Sequence, residues 1–392
     1  MRKCDLCSIG FVNAVVQGAL FLAINVFFVC KYVPRAGVDP VLFSVLYVLI
    51  ATGLMLFYRL KIHDRLTDKG ARILSVLTLT GLVAVIAASI IFIDPMTIRV
   101  DRWSATSYFL DALFRGEYPY GVSTHLNIGN YPSPFPFWQY LNIPFWLIGD
   151  VGWIQVFFLL VFAGAIYAYF RAWKPVWIAL ALLCMSPAYW WEIAARSDSL
   201  SNAFLVCACL LMIEKYAVKM ELCWWILAVV AGCLASTRLS AVIPVALYLF
   251  RPWLDASWQA KIGFVGLAAA IALAFFAPYI CWDTENWIFF QRNPFMSQTS
   301  PGSPWILGIM MLIAIGIAYK KKTFAYFVST TSVFLFAFML FTQLGVIYRC
   351  PEPINLFDIR CDISYFSLSL PYIFLALTVS PTGQRDQFAF SV

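Results

Sequence analysis

Apolar residues come in long runs separated by short polar connections. They fall at about 11–30, 40–58, 73–93, 152–170, 176–191, 199–213, 222–236, 239–250, 262–281, 304–319, 324–344 and 364–380. A spanning helix takes about 20 such residues, so the pattern predicts an all-α integral membrane protein with about 12 crossings, range 10–13. Arg238 divides the two weakest runs, 222–236 and 239–250. No internal repeat, low-complexity tract or linker splits the chain, so 1–392 reads as one polytopic domain. The first run lacks a clear small-residue cleavage site and reads as a retained span.

Composition changes the picture only by exclusion. Of 392 residues, 62% are hydrophobic and 12% are charged. That is too little polar surface for a water-soluble enzyme, a nucleic-acid-binding domain or a secreted disulfide scaffold. The net charge of +7 says less than where the lysines fall. Arg59, Lys61, Arg65, Lys69 and Arg72 crowd one connection, and Lys320, Lys321 and Lys322 another. With both cytoplasmic, both termini lie inside, and ten of the eleven lysines lie inside, with only Lys31 outside. This is the expected positive-inside bias.

The long connections then lie outside, at 94–151, 282–303 and 345–363. In the first, residues 101–115 have helical amphipathicity. Asp101, Ser104, Tyr108, Asp111 and Arg115 share one face, and Trp103, Phe109, Leu110, Leu113 and Phe114 the other. This predicts a juxtamembrane helix lying on the bilayer with its polar face turned away from lipid. Two proline-punctuated elements follow, Gly116-Glu117-Tyr118-Pro119-Tyr120 and Tyr131-Pro132-Ser133-Pro134-Phe135-Pro136. The stretch 137–149 is too short to span and is expected to lie in the interface or re-enter it. Trp138, Tyr140, Trp146 and Trp153 fit an aromatic belt.

These elements resemble the GT-C superfamily of polytopic glycosyltransferases. Asp101, then Gly116, Pro119 and Tyr120, then Tyr131 and Pro132, follow that family's order and spacing, although Ser133 interrupts its proline pair. Thr237-Arg238 between two short runs and Arg196-Ser197-Asp198 at the start of a span add to the likeness. The family commonly has one span before the first outer loop; this chain has three runs. The resemblance implies an inverting transferase with an Asp general base. It would move a hexose, mannose-like, from a polyprenyl-phosphate sugar to a glycan or lipid acceptor on the extracytoplasmic face.

That chemistry needs a carboxylate to take the acceptor's proton and cations to meet the leaving phosphate. Asp101 is the candidate base and Asp94 its alternate, each set against the plain reading of a helix-capping Asp. Arg238 at membrane depth is a candidate phosphate ligand, set against a snorkelling Arg at a tight turn. Arg196, Asp198, Tyr108, Glu117, Tyr120, His125, Arg349 and Arg360 complete the candidate binding set, although Asp198 could simply cap the span that follows. Cys350 and Cys361 could pair and hold the last outer loop. Cys4 and Cys7 lack the further ligands a zinc site needs. No cofactor is required by this chemistry, a divalent metal is compatible with it, and no nucleic-acid partner is expected. The rival readings are a multi-pass transporter or lipid or polysaccharide flippase, and an inactive scaffold. No Asn-x-Ser/Thr sequence occurs, which leans toward a bacterial inner membrane over the endoplasmic reticulum.

Overall fold

A computed structural model describes residues 2–126, 129–299, 302–320 and 323–379, with side chains from Gly10 onward. The side chains of Cys4 and Cys7, residues Lys321 and Lys322, and the end of the run 364–380 lie outside the described residues. The described chain is helical throughout, without a strand. In order it runs α1 (Arg2–Tyr32), α2 (Pro40–Phe57), α3 (Asp68–Phe92), α4 (Arg102–Arg115), α5 (Pro136–Leu147), α6 (Ile154–Phe170), α7 (Trp173–Cys184), α8 (Pro187–Ala194) and α9 (Ser199–Lys215). It continues with α10 (Met220–Ala235), α11 (Leu239–Asp255), α12 (Trp258–Ile280), α13 (Ile288–Gln291), α14 (Pro294–Thr299), α15 (Pro304–Tyr319), α16 (Phe324–Arg349) and α17 (Leu370–Thr378).

Among the described residues, six helical segments are long and apolar enough to cross a bilayer, or eight if two bent helix pairs each count once. This is a helical membrane protein. Helices suit that medium because they satisfy their own backbone polar groups. The ends obey ordinary capping chemistry. The side chains of Asp39, Ser257 and Thr323 accept from the first-turn N–H groups of α2, α12 and α16. The runs 199–213, 222–236 and 239–250 become helices of 17, 16 and 17 residues.

The chain folds into two compact units. One comprises Met1–Leu79, Phe170–Tyr189 and Ser303–Val392. There α1 packs on α2, α16 and α17. Polar rungs tie these helices: Ser332 donates to Gln17 Oε1 at 2.7 Å, and Ser186 to Asn25 Oδ1 at 2.6 Å. Lys31 Nζ donates to the carbonyls of Asp358, at 3.1 Å, and Cys361, and so fastens the connection before α17. Cys350 and Cys361 are free thiols here, with Cys350 Sγ 3.1 Å from Arg360 Nη1.

The other unit comprises Thr80–Tyr169 and Trp190–Gly302. Its α10 and α12 run in close contact because glycines admit the neighbour. A Cβ on Gly232 would lie 2.8 Å from the Ala268 carbonyl, and one on Gly263 2.8 Å from the Trp224 ring. An aromatic core gathers Phe109, Leu110, Tyr118, Tyr120, Phe135, Phe276 and Tyr279. It corrects the expected setting of α4. The apolar face of α4 is covered by Tyr120 and Tyr279 of the protein itself, with Phe109 to Tyr120 at 4.8 Å between ring centroids. Ser104, assigned to the outward polar face, is buried beneath His125. Phe114, on the apolar face, stays 55% exposed, in keeping with a lipid-facing position, and stacks on Trp146 at 4.7 Å. A helix wheel cannot see the loop that folds back over one end of the helix.

Candidate functional site

All the following residues belong to the second unit unless stated. Asp101 sits at the start of α4 with a backbone outside the extended region usual for a cap, and its side chain does not cap the helix. Its carboxylate turns to the loop instead. Oδ2 accepts from Asn130 Nδ2 at 2.8 Å and from Thr124 Oγ1 at 3.3 Å, while Thr124 N–H donates to the Asn130 carbonyl at 3.0 Å. Oδ1 accepts no hydrogen bond among the described residues. Asp94, by contrast, is spent on structure: Oδ1 accepts from Met96 N–H at 2.9 Å and caps a short turn. Arg99, two residues before Asp101, is exposed and makes no ion pair among the described residues.

Two further ion pairs in this unit are buried. Arg196 donates to Asp150 through Nη1, and through Nη2 to the carbonyls of Ile90, at 2.8 Å, and Ile93, at 2.6 Å. The guanidinium thereby serves carbonyls that the end of α3 leaves open. Arg196 itself lies in the left-handed region, φ 46°. It ends α8 as a glycine commonly would, with Ser197 N–H donating to the Glu192 carbonyl at 2.9 Å. A non-glycine residue there costs on the order of 1 kcal/mol.

Arg238 Nη2 donates to Asp198 Oδ1, and the two residues are 2% and 5% exposed. Asp198 does not cap α9 with its side chain. Glu192 Oε2 takes that place, accepting from Leu200 N–H at 3.3 Å. Burial opposes ionisation of Asp198, but the Arg238 guanidinium outweighs it and holds the carboxyl below its ordinary value. Arg102 lies within electrostatic reach of both Asp198 and Glu192.

Backbone bonds join the elements that the sequence singled out. Phe135 N–H donates to the Thr237 carbonyl at 2.9 Å, and Phe137 N–H to the Ser236 carbonyl at 3.0 Å. The open N–H groups at the start of α5 thereby find acceptors in the Ser236-Thr237 turn. Gln298 closes the same junction, donating to the Ser133 carbonyl and accepting from Leu239 N–H at 2.8 Å.

Several buried polar atoms here have no hydrogen-bond partner among the described residues: Ser199 Oγ, Asn202 Nδ2, and Nε and Nη1 of Arg238. Each such group costs roughly 1–3 kcal/mol.

The other sequence candidates do quieter work. Glu117 pairs with Arg115 on the surface. Tyr120 is buried and donates to the Pro134 carbonyl at 3.1 Å. Tyr108 OH lies 3.5 Å from Met96 Sδ. Both ring nitrogens of His125 are engaged, Nδ1 with Ser104 Oγ at 2.7 Å and Nε2 with the Ile98 carbonyl at 3.2 Å. Arg349 and Arg360 belong to the first unit, where Arg349 Nε donates to the Gly345 carbonyl at 3.1 Å and Arg360 pairs with Asp358 and Glu352. Sequence reasoning missed Asp150, Glu192, Asn202, Gln298 and Arg99. Of these, only Arg99 carried a signal, a cation two residues before the candidate base. No group of three or more metal-binding side chains occurs among the described residues. Comparison with protein-family models, curated proteins and solved structures returns no match.

Proposed function

We propose that the protein is a GT-C-like glycosyltransferase that moves a hexose from a polyprenyl-phosphate sugar to a glycan or lipid acceptor outside the cytoplasm. The observation that carries this reading is the Asp101 carboxylate. It is held by Asn130 and Thr124 through one oxygen, and its other oxygen accepts no hydrogen bond among the described residues. A base needs that arrangement, a fixed orientation with a lone pair left for the proton. In the proposed reaction the acceptor oxygen bonds to the anomeric carbon as its proton passes to Asp101. The bond from that carbon to the phosphate oxygen breaks, its electron pair leaves with the phosphate, and the anomeric centre inverts. The exposed Arg99, two residues before the base, is assigned to the leaving phosphate. Arg238 fits that duty less well, since Asp198 already neutralises it.

The reading includes twelve crossings with both termini inside. Adding α9, α10, α11 and Ile363–Thr378 to the eight longer segments makes twelve. At 1.5 Å per residue, 16–17 residues cover about 25 Å, near the lower limit for a span. The cytoplasmic side is assigned from the lysine bias, and a bacterial inner membrane from the lack of glycosylation sequences.

The test supplies membranes containing the protein with radiolabelled polyprenyl-phosphate hexoses in turn. The expected result is one donor whose sugar appears in product with inverted anomeric configuration. No transfer from any donor, together with movement of a labelled lipid across the membrane, would replace the enzyme by a flippase.

A further inference from the structure

Within the first unit, the basic connection between α2 and α3 does not stand alone. Arg59, Lys61, Arg65, Lys69 and Arg72 run from the end of α2 into the start of α3, and all five are exposed. The start of α7, more than 100 positions further along the chain, docks against them. Trp173 N–H donates to Asp68 Oδ1 at 2.6 Å, and Lys174 Nζ to the His63 carbonyl at 3.3 Å. The Arg72 guanidinium lies over the Trp173 ring, 5.9 Å from its centroid, and Trp177 packs on Tyr58 at 5.2 Å. This junction brings Arg171, also exposed, and Lys174 to the same surface. Its two carboxylates are engaged locally, Asp68 by Trp173 N–H and Asp64 by His63 Nδ1 at 2.9 Å. None of the seven cations forms an ion pair with a carboxylate among the described residues. Seven cations against two carboxylates leave a net charge of +5.

The positive-inside bias asks for cations on one side of the membrane. It does not ask two distant connections to converge, or their cations to lack counter-charges. Apolar surface begins at the edge of the patch. Phe57 and Leu60 beside α2, and Ile73 and Leu74 in α3, are exposed. The apolar stretches of these two spans are only 6% and 22% buried in the protein. A ligand that suits both parts is negative at one end and hydrocarbon at the other. A soluble polyanion or an acidic peptide would meet the cations alone, and a zwitterionic lipid carries a cation of its own. We propose that the α2–α3 connection and the start of α7 form a binding surface for an anionic phospholipid. Its phosphate would face the Arg and Lys side chains, and its acyl chains would lie along α2 and α3. Trp173 fits an aromatic anchor at headgroup depth. The lysine bias assigns this surface to the cytoplasmic leaflet; the recognition of the lipid depends neither on that assignment nor on the sugar-transfer reading.

The test uses the purified full chain in detergent micelles, where sidedness does not enter, with bound lipid counted by native mass spectrometry. The probes are phosphatidylglycerol and phosphatidylcholine with the same acyl chains, and inorganic phosphate. At low salt, phosphatidylglycerol is expected to bind about tenfold or more tightly than phosphatidylcholine, with the preference shrinking as salt rises. Arg171→Gln with Lys174→Gln is expected to weaken phosphatidylglycerol about tenfold or more and to leave phosphatidylcholine unchanged. Lys61→Gln with Lys69→Gln, at two exposed side chains, should give the same loss with an unchanged melting temperature. Lys215→Gln with Lys219→Gln removes as many cations from the other unit and should bind as wild type. Equal binding of the two lipids by the wild type would overturn the proposal. So would equal loss in all three double variants, which would leave net charge as the cause. Unchanged binding in the Arg171 and Lys174 variant would overturn the joint surface. Displacement of phosphatidylglycerol by inorganic phosphate at equal concentration would replace the lipid by a free anion.

Discussion

A guanidinium and a carboxylate removed from water each cost several kcal/mol, and only their mutual contact makes burial tolerable. Asp198 and Arg238 are in that position. Arg238→Ala or Asp198→Ala leaves one buried charge alone and is expected to destabilise the protein by about 3–5 kcal/mol. The double change Asp198→Leu with Arg238→Met should recover most of that loss, read as melting temperature in detergent. The carboxyl is held below its ordinary value. Its contribution is therefore complete above the usual Asp range and is lost as pH falls through the lowered folded value. Melting temperature should fall as pH drops below about 4, with the double variant lacking this component of the fall. At this scale the sequence was informative about three of the four members of the two buried pairs, all but Asp150. Arg196, Asp198 and Arg238 stood out because charge beside apolar runs is costly. Their setting depends on residues far along the chain, Asp150 lying 46 positions from Arg196, and no spacing rule reaches that far.

Helix-to-helix packing adds constraints of its own. α10 and α12 meet where Gly232 admits the Ala268 carbonyl and the Ile271 side chain. Gly232→Ala places a methyl group 2.8 Å from that carbonyl, so backbone has to move. The expected cost is about 1–3 kcal/mol, and Gly266→Ala, with open space around it, should melt as wild type or above it. A lower melting temperature for Gly266→Ala than for Gly232→Ala would contradict the packing described. Helix positions were legible from apolar periodicity, and the short helix α5 (Pro136–Leu147) was expected in the 137–149 stretch. The covering of α4 was not. Its apolar face could serve lipid or protein equally, and the choice is made by Tyr120 and Tyr279, 11 and 170 positions from Phe109.

For the whole molecule, the apolar content and its run lengths made a helical membrane protein legible at once, whereas the division into two units was not. Each unit draws on segments separated in sequence by 20 residues or more, and run order does not encode which runs pack together. The proposed orientation has a direct consequence. In a background without native cysteines, Glu117→Cys should react with an impermeant thiol reagent from outside, and Asp64→Cys only after permeabilisation. Both side chains are exposed, so access reports sidedness. The reverse pattern would remove Asp101 from the face where the lipid-linked donor is proposed to be used. The central claim is that Asp101 takes a proton during sugar transfer, and Asp101→Asn tests it most directly. Asn keeps the size and removes the proton acceptor. Transfer from the donor that the wild type uses should fall by about 100-fold or more, with protein level and melting temperature unchanged. Transfer within a few fold of wild type would contradict the account.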